Sequence, residues 1–535
     1  MGEWWRGAVI YQIYPRSFQD STGDGIGDLP GITARLGHVA SLGVDAIWLS
    51  PFFTSPMKDM GYDVANYRDV DPIFGTLADF DALLARAHAL GLKVIIDQVL
   101  SHSSDQHAWF AESRRSRDNP RADWYVWADA KEDGTPPNNW LSVFGGPAWE
   151  WEPRRHQYYL HNFLTEQPDL NLWNPDVQDA ILGEVRFWLD RGVDGFRLDV
   201  ANFYFHDRAL RDNPPAPAEQ RACARETYGH QDPIYSKNQP ENLAFLERLR
   251  ALTDEYPDRM MVGEIGQDGQ VALDLMAAYT DGPTRLHKAY SFEMLGAGFS
   301  AGHFRRTVER FFDTAPEGWP CWSFSNHDCV RHVSRWAEHG ARPEALARQS
   351  IALLCALEGS IGLYQGEELG QLETELAYEE LTDPPGLRFW PDVKGRDGCR
   401  TPMVWEDSAN GGFTVGTPWL PVKAPQRARS VAAQEADGDS VLHVYRAMLA
   451  LRRGSAALTV GRTVFLDTEE PVLAFQRVAE GETVTCLFNL SPGVHTVTLS
   501  GGGEVIAGAG AAVLDGVLTL SANGFAYVRG AARVS

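Results

Sequence analysis

Arg197 and Asp199 stand two residues apart in Gly192-Val193-Asp194-Gly195-Phe196-Arg197-Leu198-Asp199-Val200, a short and mostly apolar run. Such a run reads as a strand, and residues two apart on a strand share a face. A fixed guanidinium lowers the pKa of a neighbouring carboxyl, so Asp199 is expected to stay ionised, as a carboxylate nucleophile must. In isolation R-x-D is better explained by a structural ion pair at a strand end. Two further carboxylates end segments that read as strands, Glu264 after Met260-Met261-Val262-Gly263 and Asp328 after Trp322-Ser323-Phe324-Ser325-Asn326-His327. Desolvation should raise the pKa of Glu264 and keep it protonated until needed, which separates an acid from an ionised partner.

These groups need a frame that brings distant residues together. Ala8 to Ile13, Ala46 to Leu49 and Lys93 to Asp97 read as buried strands, and Ile32 to Leu42, Thr76 to Leu90 and Val177 to Asp190 have helical spacing. Strands alternating with helices indicate a parallel sheet, and parallel strands buried on both faces are apolar throughout. At 535 residues the rhythm suits a (β/α)8 barrel with additions, in which residues just past strand C-termini are catalytic candidates. Asp97, His102, Asp199, Glu264 and Asp328 all occupy such places.

The fold class is therefore α/β: a TIM barrel, an irregular subdomain inserted after the third strand, and a C-terminal antiparallel β-sandwich. The expected divisions are 1–102, first part of the barrel; 103–172, the insertion; 173–455, the rest of the barrel; and 456–535, the sandwich. Long Pro-rich loops at 203–240 and 381–425 are expected near the site, because long βα loops of barrels serve it.

Five ordered segments carry a resemblance. They are Asp97-Gln98-Val99-Leu100-Ser101-His102, Gln167-Pro168-Asp169-Leu170-Asn171, Gly195 to Val200, Gly263-Glu264-Ile265 and Ser325-Asn326-His327-Asp328. Together they resemble the signature set of the α-amylase family of retaining glycoside hydrolases. The opening from Trp4 to Ile32 is most similar to the α-glucosidases and oligo-1,6-glucosidases of that family.

The resemblance implies Asp199 as nucleophile, Glu264 as acid/base and Asp328 as a third carboxylate gripping the sugar hydroxyls. Retaining enzymes hold the first two roughly 5–5.5 Å apart. By the same match His102 and His327 would hydrogen-bond the sugar, Arg197 would serve the nucleophile, and Tyr62 would stack on the sugar face. Asp63 with Arg396 would bind the far hydroxyl of a terminal glucose and close the pocket. Phe144, Phe163 and Phe205 are either walls for the next sugar or core. Val200, after the nucleophile, would border the leaving sugar; Val is common here in relatives cleaving 1,6 bonds, Thr or Ala in those preferring 1,4 bonds. The loop Asp20 to Asp28 is either a solvated acidic turn or a cation loop. The resemblance implies a structural Ca2+ or Mg2+ held by Asp20, Thr22, Asp24, the Ile26 carbonyl and Asp28, and no organic cofactor.

The expected function is an exo-acting retaining α-glucosidase on disaccharides and short oligosaccharides, with transglucosylation. A glucosyltransferase or a sucrose or maltose isomerase using the same intermediate is the alternative; the R-L-D-R-F run of sucrose isomerases does not occur. A non-catalytic binding barrel is more remote, since all three carboxylates are present. The formal net charge of −24 repels phosphate backbones and anionic lipid, so neither nucleic acid nor membrane is an expected partner. Six scattered cysteines form no zinc or disulfide pattern. The opening MGEWWRGAVIYQ lacks the basic segment and apolar run of a signal peptide, so a cytoplasmic monomer or homodimer is expected.

Overall fold

The structure, a computed structural model, describes residues 3–535. Eight parallel strands, β1 (Val9–Ile13), β2 (Ala46–Leu49), β3 (Lys93–Gln98), β4 (Gly195–Leu198), β5 (Met260–Ile265), β6 (Lys288–Ser291), β7 (Cys321–Ser323) and β8 (Ser360–Tyr364), pair in sequential order, with β1 between β2 and β8. A parallel bridge between Ala289 and Pro320 joins β6 to the start of β7 and closes the ring. β1, β2, β4 and β5 are buried along their whole length, as strands covered by helices on one side and barrel interior on the other must be.

One principal helix follows each strand: α1 (Leu29–Leu42), α2 (Leu77–Ala89), α3 (Pro175–Asp190), α4 (Asn242–Thr253), α5 (Gly269–Thr280), α6 (Ala301–Thr314), α7 (Pro343–Ala356) and α8 (Val441–Arg453). Local chemistry sets several starts. Thr76 and Asp79 form a reciprocal capping box before α2, and the Asp28 carboxylate caps α1 by accepting from the Gly31 amide.

Two boundaries differ from the sequence reading. β6, His287-Lys288-Ala289-Tyr290-Ser291 in context, carries a lysine and too little apolar pattern to announce a buried strand; Lys288 is accommodated by the Trp5 carbonyl (3.1 Å) and the Ser360 hydroxyl (3.3 Å). β7 ends at Ser323 rather than running to Asp328. There Asn326 Oδ1 accepts from the amides of Asp328 and Cys329, a local turn that competes with the sheet ladder.

The segment after β3 is more regular than expected. It holds a helix (Ala108–Ser113) and a three-stranded antiparallel sheet (Trp127–Ala128, Trp149–Glu152, Gln157–Leu160) around an apolar cluster of Val126, Ala128, Trp140, Ala148, Trp149 and Leu160. The loop after β4 is stitched to it. Trp140 Nε1 donates to the Arg211 carbonyl (2.8 Å), Asn139 Nδ2 to the Asn213 carbonyl (2.9 Å), and the Asn139 amide to Asp212 (3.0 Å).

Beyond a short helix (Ala456–Val460), seven strands form an antiparallel sheet domain: β9 (Arg462–Phe465), β10 (Val472–Ala479), β11 (Glu482–Asn489), β12 (His495–Ser500), β13 (Val505–Leu514), β14 (Val517–Arg529) and β15 (Arg533–Val534). The β13–β14 hairpin turns on Asp515-Gly516, both at positive φ (50° and 80°), the geometry that two-residue hairpin loops favour. Two buried guanidiniums seat this domain. Arg452 donates to the carbonyls of Cys355 and Leu458 (both 2.8 Å) and Arg477 to those of Ala356 (2.6 Å) and Gly461 (2.7 Å). No helix among the described residues is long and apolar enough to cross a membrane.

Candidate active site

A cavity of about 540 Å³ opens at the C-terminal ends of the barrel strands. Asp199, Glu264 and Asp328 line it, with Tyr62, His102, Phe144, Phe163, Val200 and Arg396. Asp199 directly follows β4, Glu264 lies near the end of β5, and Asp328 lies in the loop after β7. Three segments separated by many residues thus meet because the barrel places their strand ends in one ring.

Beneath the floor, one guanidinium serves three carboxylates. Arg197 Nη1 lies 2.6 Å from Asp199 Oδ1 and 2.8 Å from Asp97 Oδ1, and its Nη2 lies 2.6 Å from Glu264 Oε1. Tyr290 donates its hydroxyl proton to Glu264 Oε1 at 3.0 Å, and the Val200 amide donates to Glu264 Oε2 at 3.0 Å. The expectation that Arg197 holds Asp199 alone in its ionised form is therefore corrected. Burial raises Asp97 to about 6 and pushes Asp199 well above the carboxylate range; Arg197 opposes both shifts, and neighbouring carboxylates reinforce them. Asp97 and Asp199 share one cation and titrate as a pair, so a proton taken up there belongs to the pair rather than to one residue fixed in advance.

His327, expected at the sugar, lies one layer behind the cavity wall together with Arg197, each fully buried. Gln12 Nε2 lies 2.8 Å from His327 Nδ1, which assigns the ring proton to Nε2. That N–H donates to the Tyr62 hydroxyl (2.6 Å), whose own proton goes to Asp97 Oδ2 (3.1 Å). Burial holds His327 neutral, well below the usual imidazole range. Both residues position groups that front the cavity. His102 does front it; burial lowers it to about 3, and its Nε2 lies 3.2 Å from the Tyr62 carbonyl.

At the far end Arg396 bridges Asp383 (2.6 Å), Asp59 (2.8 Å) and Asp328 (3.3 Å), and Arg400 reaches Asp328 at 2.8 Å. Burial would raise Asp328, but the Arg400 and Arg396 guanidiniums oppose it, and the carboxyl stays below its usual range. The acid at this end is Asp59, not Asp63. Asp63 is fully buried and turns away, accepting from the amides of Lys58 (2.9 Å) and Asp59 (3.0 Å) and from the Ser55 hydroxyl (2.9 Å). It builds the turn that presents Asp59, and burial leaves it at about 6 despite those donors.

The wall next to the catalytic end is aromatic. Phe144 packs on Phe163 (5.6 Å between ring centres), which packs on Phe203 (5.5 Å). Phe205 does not belong to it; it sits among Trp173 (5.0 Å) and Phe245 (6.3 Å) in the core. Phe203 takes the place expected of it, because Ala201–Phe203 form a tight 3-10 turn that swings residue 203 toward the cavity. Val200 opens that turn at φ 35°, ψ 53°, a strained conformation for a β-branched residue. The loop at 203–240 adds Glu226, Tyr228 and Lys237 to the wall. Asp59, Arg400, Phe203 and Lys237 escaped the sequence reading, as loop residues whose direction no periodicity reveals.

The acidic turn at 20–28 does not present convergent donors. Asp20 accepts from the amides of Thr22, Gly23 and Gly25 (each 2.8 Å), and Asp28 from the amides of Ser21 (2.9 Å) and Gly31 (2.6 Å). Asp24 accepts from the Ile26 amide (2.9 Å). Among the described residues no three acidic, His or Cys side chains are grouped to hold a metal. As arranged, Asp20, Thr22, Asp24, Ile26 and Asp28 do not fit a cation.

Comparison with known proteins agrees with this geometry. The α-amylase catalytic-domain family matches residues 12–461. A probable α-glucosidase of Rhizobium meliloti (strain 1021) is 60% identical, covering 93% of this chain and 91% of its own. The oligo-1,6-glucosidase of Heyndrickxia coagulans is 39% identical, covering 92% and 93%. The crystal structure of the α-glucosyl transfer enzyme XgtA superposes with a TM-score of 0.95 at 56% identity, covering 99% of this chain and all of that one. With a barrel that gathers three carboxylates on one guanidinium and a fourth at the far wall, the chain belongs to the α-amylase family of glycoside hydrolases.

Proposed function

We propose that the protein is an exo-acting, retaining α-glucosidase that takes glucose from the non-reducing end of short α-glucosides and also passes it to acceptors other than water. The observation that carries this reading is the closed end of the pocket. Arg396 bridges Asp59, Asp328 and Asp383, so a chain entering from the open side meets a wall of charge. Such a wall supplies hydroxyl-directed hydrogen bonds to a terminal sugar and leaves a polymer no exit.

In the proposed first step Glu264 protonates the glycosidic oxygen while Asp199 attacks the anomeric carbon, giving a covalent β-glucosyl ester and a free leaving sugar. In the second, Glu264 takes a proton from water or an acceptor hydroxyl, which attacks the ester and releases the α-product with Asp199 restored. Arg197 spans both carboxylates, which supports the close spacing of retaining enzymes rather than the ~6.5–9.5 Å of inverting ones. As Asp199 gives up its charge to the ester, Arg197 remains to stabilise Glu264 as the base. The aromatic wall of Phe144, Phe163 and Phe203 supports the transfer reading, because apolar surface beside the ester favours an acceptor sugar's ring over loose water. Incubation with maltose, isomaltose and sucrose, followed by proton NMR, tests the activity: α-glucose should appear first, and β-glucose first would sink the retaining mechanism.

Linkage preference rests on Val200, which lines the cavity. A 1,6 bond has an extra rotatable methylene, so its leaving sugar clears an apolar β-branched side chain more easily. We infer acceptance of isomaltose at least equal to maltose. Val200→Thr keeps the β-branch at the same strained φ and should move the ratio toward maltose by about 10-fold or more, the scale of one changed pocket contact. An unchanged ratio removes Val200 from the argument.

A further inference from the structure

We propose that Lys237 is a positioning residue for the acceptor side of this pocket: its ammonium, seated against the Phe203 and Tyr228 rings, clasps the loop at 203–240 to the chain just past Glu264 and shapes where the departing or incoming sugar sits. The proposal rests on the glucosidase reading above and deepens it. Lys237 lines the cavity and is 3% exposed. Its Nζ donates to the Gly266 carbonyl at 2.9 Å and lies 4.7 Å from the Phe203 ring centre and 5.5 Å from that of Tyr228. Lysine is almost never so buried without a paired anion. Here the supports are a carbonyl and two aromatic faces, which attract a cation through the ring quadrupole.

Gly266 is the knot of three segments. Its amide donates to Asn202 Oδ1 (2.9 Å), in the turn that follows Asp199. Asn202 in turn donates through Nδ2 to Asn238 Oδ1 (2.7 Å) and accepts the Asn238 amide at its carbonyl (2.8 Å). A Cβ at Gly266 would come within 3.1 Å of the Phe203 ring, so a side chain there would require the ring to give way. Lys237 is the charged member of this knot, and it holds the loop base to the strand end that carries the acid/base.

The charged groups acting on Lys237 are Asp268, just past β5, and Asp232 of its own loop; the Tyr228 phenol faces it from the same loop. Burial lowers Lys237 to about 7, with both aspartates opposing. The ammonium is therefore present below that pH and lost as the pH rises through it, and the ring contacts weaken with it.

The test compares kcat/KM for isomaltose with that for α-glucosyl fluoride, whose leaving group needs no sugar subsite, in wild type, Lys237→Met and Lys237→Arg across neutral pH. Thermal unfolding of each variant is measured alongside. The disaccharide should lose about tenfold more than the fluoride in Lys237→Met, a pocket-contact effect, and Lys237→Arg should restore most of it. In wild type the disaccharide-to-fluoride ratio should fall as the pH rises through about 7, and Lys237→Arg should flatten that fall. Parallel losses on both substrates, or a ratio that does not move, overturn the proposal. A wild type that leaves the fluoride intact overturns the glucosidase reading itself, and this proposal with it.

Discussion

Asp59 and Asp63 lie four residues apart in one turn, and they divide between them what the sequence suggested for Asp63 alone. Asp63 spends its oxygens on the Lys58 and Asp59 amides, so its charge organises backbone; Asp59 inherits the direction of the cavity and meets Arg396. The two roles predict different failures. Asp59→Ala should leave folding intact and lower kcat/KM by roughly 10–200-fold through KM, as one lost pocket contact does. Asp63→Ala should lower the melting temperature, because it orphans two amides at about 1–3 kcal/mol each. If Asp63→Ala unfolds normally and only raises KM, the division is wrong. The three carboxylates were legible because each ends a segment that reads as a strand and the five segments fall in order. Asp59 was not, because a turn with Met57 and Met60 at φ 60° and 51° follows no period from which a direction could be read.

At the scale of elements, the strands and helices with strong periodicity were legible, and those whose stability comes from context were not. β2 and α2 lie where the apolar pattern put them. β6 hides behind Lys288, and β13 behind alternating Gly and Ala, because neighbours rather than composition hold them in the sheet. The turn at 20–28 carries its own prediction. Its carboxylates accept amide protons and are not grouped around one point, so a cation would need the turn to rearrange. Elemental analysis after exhaustive chelation and refilling should find no cation whose loss changes the melting temperature. A stoichiometric Ca2+ or Mg2+ lost on Asp24→Ala, with lower stability, would contradict this reading, since a ligand bound only by the folded state must stabilise it.

The whole molecule buries carboxyls away from the site, and these make stability depend on pH. Glu367 accepts from the Tyr364 amide (3.2 Å) and the Tyr445 hydroxyl (3.2 Å). Burial nonetheless raises it to about 8, against those donors and with Glu368 adding repulsion. The folded state therefore binds a proton that the unfolded state has released. Its contribution is fully present below the unfolded carboxylate pKa and is lost as the pH rises through about 8. Glu367→Gln, which mimics the protonated form, should flatten the fall in melting temperature between mildly acidic and mildly alkaline pH. An equally steep fall would show that Glu367 is not a source of it. No sequence pattern pointed here, since Gly366-Glu367-Glu368 looks like a solvated turn until α8 covers it with Tyr445.

In the proposed reaction Asp199 becomes covalently bonded to glucose while Glu264 moves the proton. Incubating the enzyme with a fluorinated glucosyl fluoride that forms the ester quickly and loses it slowly, then mapping peptides by mass spectrometry, addresses it most directly. One added fluoroglucosyl mass is expected on the peptide carrying Asp199, and none on Asp97 or Asp328, with activity lost in step. A label on another carboxylate, or inactivation without any label, would contradict it.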